Sequence, residues 1–130
     1  MKILKITVKN LILISLLLIM SCEKQEETTE PTWSWNDVYV RTLTATDIGS
    51  SSATLNGQVT DIQGDYTAGF SYGRPESMLL NAKTAHKDSD GKFHANISGL
   101  QSNVRYYFRA YVVNGNNYED GNTKSFLTSK

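Results

Sequence analysis

The 130-residue chain has one cysteine, two histidines and two prolines. A single cysteine excludes an intrachain disulfide. Two histidines and one cysteine fall short of the three or four closely spaced ligands of a zinc site. No apolar run reaches the length needed to cross a bilayer core of roughly 30 Å as a helix. Charge excess is absent too. Lys2, Lys5 and Lys9 sit near the start; beyond Ser21 there are ten basic and thirteen acidic residues, a net of −3. That balance gives no electrostatic footprint for nucleic acid.

What is present begins with three lysines and an apolar block, Leu11 to Met20, broken only by Ser15. Its length of about ten residues suits the apolar region of a secretory signal peptide. Ile19-Met20-Ser21-Cys22 follows. An apolar residue, a tolerated position, a small residue and then Cys resemble a bacterial lipobox. The resemblance implies cleavage after Ser21 and lipid attachment at Cys22, with palmitate among the acyl groups. The alternatives are a plain signal peptide with an incidental Cys, or an uncleaved anchor. Several acyl chains on one residue give stable anchoring, since each buried methylene adds about 0.8 kcal/mol.

Glu23 to Thr32 is polar, acidic and free of aliphatic residues. Such a run buries too little apolar surface to offset ordering and reads as a flexible tether. Within it, Lys24-Gln25-Glu26-Glu27 directly after Cys22 is similar to an export signal. In one lineage of Gram-negative bacteria such a run sends lipoproteins to the outer face of the outer membrane. A solvated linker is the plainer reading. Trp33 and Trp35 close the tether and are expected to seal the end of the domain. The chain thus divides into a signal peptide (1–21), lipidated cysteine and tether (22–36), and one folded domain (37–130).

The domain reads as all-β. Tyr106, Phe108, Ala110 and Val112 alternate with Tyr107, Arg109, Tyr111 and Val113; period two with aromatic and β-branched residues argues for a strand with one face in a core. Other strands are expected over Val38–Thr46, Ser52–Thr60, Tyr66–Tyr72, the region near Asn81–His86, Lys92–Ser98 and Thr123–Thr128. Asp61–Asp65 reads as a hairpin loop, Asp88–Gly91 as an Asp-Gly turn, and Gly115–Asn122 as a loop around Tyr118. Leu100, a polar corner and Tyr106 six residues later resemble the corner preceding the sixth strand of a fibronectin type III domain. That resemblance implies a seven-stranded immunoglobulin-like β-sandwich, with Tyr106 as the structural tyrosine of that corner. Many members carry a core Trp where Gly57 stands, so Phe70, Phe93 and Phe108 are the expected replacements.

No catalytic set assembles. His94 alternates with Phe93 and Ala95 and should face solvent. Asp88-x-Asp90-Gly91 is a fragment of calcium-loop spacing without the later bidentate Glu, and Asp and Gly suit turns on their own account. One surface feature remains. If the third and sixth strands are neighbours, Tyr107, Arg109 and Tyr111 stand beside Thr67, Gly69 and Ser71. Two rings next to small residues form a shelf on which a sugar ring can stack, and Arg109 can fork to a carboxylate. The plainer reading is that outward rings cover glycine backbone. The sequence therefore points to a non-catalytic, lipid-anchored binding or spacer module on the outer membrane, without cofactor. The alternative is a glycan-binding accessory lipoprotein of a polysaccharide uptake system. The partners expected are the membrane and either a glycan or an envelope protein.

Overall fold

The computed structural model describes residues 34–75 and 81–130. Ser21, Cys22, the Lys24–Glu27 run and Trp33 lie outside the described residues. A single 3-10 turn, Trp35–Asp37, opens the described chain, with the Ser34 side chain accepting from Asn36 N–H. Trp35 is partly buried and packs against the core.

Nine strands follow among the described residues: β1 Tyr39–Thr42, β2 Ser52–Thr60, β3 Thr67–Gly73, β4 Asn81–Thr84, β5 His86–Lys87, β6 Lys92–Ser98, β7 Arg105–Asn114, β8 Asn117–Asp120 and β9 Lys124–Leu127. They form two antiparallel sheets. One has the order β1-β2-β6-β5; the other has β4-β3-β7-β8, with β9 also paired to β7. The expected all-β sandwich is present.

Strands β2, β6 and β7 follow their alternation. Ala53, Leu55, Gly57 and Val59 face the core from β2, Phe93, Ala95 and Ile97 from β6, and Tyr106, Phe108, Ala110 and Val112 from β7. Phe70, Phe93 and Phe108 are fully buried. The Phe70 ring lies 5.4 Å from that of Phe93 and 6.4 Å from that of Phe108. Gly57 explains this packing. A Cβ there would fall 2.6 Å from Cε2 of Phe93, so the ring uses the space that a side chain on β2 would take. Each such ring contributes about 1.5–3 kcal/mol of burial.

Four expectations change. Asp61–Asp65 is no hairpin, because β2 and β3 belong to different sheets; the segment crosses between them. The strand expected near Asn81–His86 is two pieces. β4 pairs with β3, β5 pairs with β6, and the chain changes sheets at Ala85. Strand β1 ends at Thr42, short of the expected Thr46. Pairing resumes only at Thr46 with Thr54, so Leu43–Ala45 oppose just Leu55 and Asn56. This is a β-bulge with one extra residue. The Asn56 amide closes it by donating to Thr44 O at 2.9 Å.

The fourth change concerns the segment after β7. The expected loop around Tyr118 is the strand β8, joined to β7 by Gly115-Asn116. Gly115 has φ 58, the positive value that a two-residue hairpin turn asks of its first central residue when that residue is glycine. A second bulge separates β8 from β9: Gly121–Thr123 oppose only Arg109 and Ala110. Gly121 N–H still reaches Ala110 O at 2.9 Å.

The corner before β7 is held by side chains. Gln101 N–H donates to the Tyr106 hydroxyl at 2.9 Å. The buried Thr128 hydroxyl donates to Gln101 O at 2.6 Å and accepts from Val104 N–H at 2.9 Å. Both main-chain groups of Gln101 are thereby paired, as a part-buried corner requires.

Candidate binding face

The two outer faces of the sandwich differ in chemistry. On the four-stranded sheet, β2 and β6 turn outward Thr54, Asn56, Gln58, Lys92, His94 and Asn96. Thr54 donates to Asn96 Oδ1 at 2.9 Å. On the five-stranded sheet, β7 turns outward Tyr107, Arg109, Tyr111 and Val113. The β3–β7 register sets Tyr107 opposite Gly73, Arg109 opposite Ser71 and Tyr111 opposite Gly69. The residues of the expected shelf therefore share one face.

Tyr111 lies across the β3 backbone. A Cβ added to Gly69 would fall 2.5 Å from Cζ of Tyr111 and closer still to its hydroxyl oxygen. The ring covers what the glycine leaves bare, the plainer reading of this aromatic. On its other side it stacks on Tyr118, with centroids 5.8 Å apart and planes inclined 21°. Tyr118 is 54% exposed. Partial burial raises its hydroxyl above the ordinary tyrosine value; the Asp120 charge adds to this, and the Arg109 charge opposes it. Alternation in the sequence does not reveal Tyr118 as part of this face. Asn-Tyr-Glu-Asp carries no apolar periodicity, and only the Gly115 turn brings it beside Tyr111.

Arg109 differs from expectation. Its Nη1 donates to Asp120 Oδ2 at 2.8 Å, and its Nε and Nη2 donate to Thr123 Oγ1 at 3.2 and 2.9 Å. The guanidinium is held by its own chain and is not a free fork for a ligand carboxylate. The cause is the second bulge, which puts Thr123 beside Arg109 while the ladder sets Asp120 opposite Tyr111. Arg109 thus ties β7 to Asp120 of β8 and to Thr123, beside the tyrosine pair.

Away from this face, polar side chains also meet in a cleft and at the Asp88–Gly91 turn. A cleft of about 400 Å³ opens at the corner before β7, lined by Tyr72, Arg74, Asn81, Gln101 and Tyr106 among others. Arg74 Nη1 donates to Gln101 Oε1 at 2.9 Å there. No carboxylate, imidazole or thiol is among its described lining residues. The Asp88–Gly91 segment is a turn, with Asp88 N–H bonded to Lys92 O at 2.8 Å. Asp88 directs its carboxylate to His94 Nδ1, 2.8 Å away. Sequence spacing alone did not associate these two side chains.

No protein-family model matches the chain, and no curated protein matches it. Solved structures do. A short form of the sensor domain of the anti-sigma factor RsgI4 from Pseudobacteroides cellulosolvens is 24% identical with TM-score 0.58, covering 74% of this chain and 98% of the other. The fibronectin type III domain of human fibronectin type III domain containing protein 3 is 14% identical with TM-score 0.53, covering 69% and 84%. A computationally redesigned β-sandwich is 20% identical with TM-score 0.52, covering 68% and 94%. The fold is a fibronectin type III-like β-sandwich.

Proposed function

We propose that this chain is a non-catalytic binding module, held by lipid at Cys22 on the outer membrane and facing outward. The observation that carries the binding reading is the contrast between the two faces. One carries mainly amides and hydroxyls, with the exposed Tyr39 on its margin strand β1; the other groups Tyr107, Tyr111 and the exposed Tyr118 beside the Arg109–Asp120 pair. The anchoring reading rests on Ile19-Met20-Ser21-Cys22 and the acidic run after it. A sandwich of this fold is also the sensor domain of the anti-sigma factor RsgI4.

A second reading is a glycan-binding accessory lipoprotein of a polysaccharide uptake system. The exposed Tyr118 ring favours it, because an aromatic face stacks on the C–H face of a sugar while the phenol offers a hydrogen bond. Here the rings contact the ligand, and Arg109 serves them indirectly.

Protease treatment of intact cells tests the anchoring. The wild-type domain is expected to be shaved from the surface, Cys22→Ala to leave the membrane fraction, and the Glu26→Ala/Glu27→Ala variant to be protected. A membrane-bound wild type that resists shaving would place the domain on the periplasmic side, and the face would then meet an envelope protein. Affinity electrophoresis in polysaccharide gels separates the two readings. Retardation that is lost in Tyr118→Ala supports the glycan, and unretarded migration across a broad glycan panel argues against it.

A further inference from the structure

The β5–β6 ladder sets His86 directly opposite His94. Their ring centroids are 5.4 Å apart, with planes inclined 59°. His94 Nδ1 lies 2.8 Å from the Asp88 carboxylate. A carboxylate only accepts, so Nδ1 carries the hydrogen, and Nε2 of the neutral ring keeps its lone pair. This is the way a carboxylate fixes the tautomer and orientation of a metal-binding imidazole. The group is open to solvent: the side chains of His94 and Asp88 are 35% and 38% exposed, and His86 is exposed.

We propose that His86 and His94 form a two-imidazole site for a borderline divalent transition ion of the Zn²⁺ class, oriented by Asp88 and completed by water. The spacing suits such an ion. With a Zn–N bond of about 2.0–2.1 Å and a nitrogen about 1.1 Å from its ring centre, two rings on one tetrahedral ion have centres about 5.2 Å apart. The observed separation of 5.4 Å is close to that value. Imidazole is the ligand that suits zinc, copper and nickel, whereas calcium and magnesium take oxygen. Among the described residues no group of three or more His, Cys, Asp or Glu converges on an ion. The site is therefore an open, exchangeable one and not a closed structural one. It lies on the sheet opposite the tyrosine face, so its existence is independent of what that face binds. Occupied, it would clip the two-residue strand β5 to β6.

Zn²⁺ titration by calorimetry tests this on the full chain in detergent micelles, produced without a histidine tag, near neutral pH. Wild type is expected to bind one ion per chain. His86→Gln and His94→Gln are each expected to lose at least tenfold in affinity, and Asp88→Asn about tenfold. Glutamine keeps a polar side chain at exposed positions, and thermal unfolding without metal checks the fold of each variant. If His94→Gln unfolds, His86→Gln on the edge strand decides alone. The site is overturned by wild type that takes up no Zn²⁺ at millimolar concentration. Equal affinity in wild type and both histidine variants overturns it too, as does a loss confined to one folded variant.

Discussion

The hydroxyl of Thr42 on β1 accepts a hydrogen bond from the main-chain N–H of Ala110 on β7, 3.0 Å away and buried between the sheets. Ala110 turns its carbonyl toward the bulge as well, where Gly121 N–H meets it. The bulge leaves the amide of Ala110 without a ladder partner, and a side chain from the other sheet supplies one. A buried amide without an acceptor bears the full cost of desolvation.

Thr42→Val is accordingly expected to destabilise the domain by about 1–3 kcal/mol. Valine keeps the shape and the β-branch, so packing changes little. Urea unfolding measures the loss, and a midpoint equal to that of wild type would mean that water replaces the hydroxyl.

Gly57→Ala is expected to cost about 1–3 kcal/mol, the usual range for overpacking a filled core. The new methyl would meet Phe93 and lie 3.0 Å from the Ala110 Cβ. In a Phe93→Leu background the same change should cost less. A double-mutant cycle reads this coupling, and simple additivity would show that Phe93 is not the obstacle.

Tyr106→Phe removes the acceptor of Gln101 N–H and leaves the ring stacked on Phe126, with centroids 5.8 Å apart. The expected loss is about 0.5–1.5 kcal/mol. Hydrogen exchange at Gln101 should quicken more than exchange in the centre of β7. Uniform quickening would indicate a global effect rather than a local one.

Tyr118 supplies a test in base. Its folded value lies above the ordinary 10.0, through burial first and the Asp120 charge second. An acid whose proton is held more tightly in the fold stabilises that fold below its unfolded value. Above pH 10 the unfolded chain releases the proton first, and stability falls with rising pH. Ultraviolet difference titration of wild type against Tyr118→Phe should show this group ionising late. Asp120→Asn should bring it earlier. An unchanged titration in Asp120→Asn would leave burial as the whole cause.

Much of the fold was legible because three strands advertise themselves. Ser52–Thr60, Lys92–Ser98 and Arg105–Asn114 alternate strictly, and a strand with one buried face must do so. The filling of the core by phenylalanine rings was legible through the family resemblance, which puts a Trp where Gly57 stands. The strand at Asn117–Asp120 was not, nor was the division of the expected strand near Asn81–His86 between two sheets. Asn117–Asp120 and Asn81–Lys87 carry no apolar period, and their places follow from a turn and a change of sheet. The tyrosine shelf could be placed from β7 alone. The engagement of Arg109 could not, because one inserted residue between β8 and β9 decides which side chain it meets.

The two bulges have a consequence for solubility. Strands β1, β5, β4 and the β8–β9 pair form the outer rows of the two sheets. One is interrupted after Thr42, one is two residues long, one is four residues long and carries Lys83, and one is interrupted at Gly121–Thr123. Among the described residues, none of these margin strands runs beyond four consecutive residues. Short, kinked or charged margins are how β proteins avoid pairing with their own copies. Copies of this domain crowded together should therefore stay separate folded units and not grow by adding strands to one another.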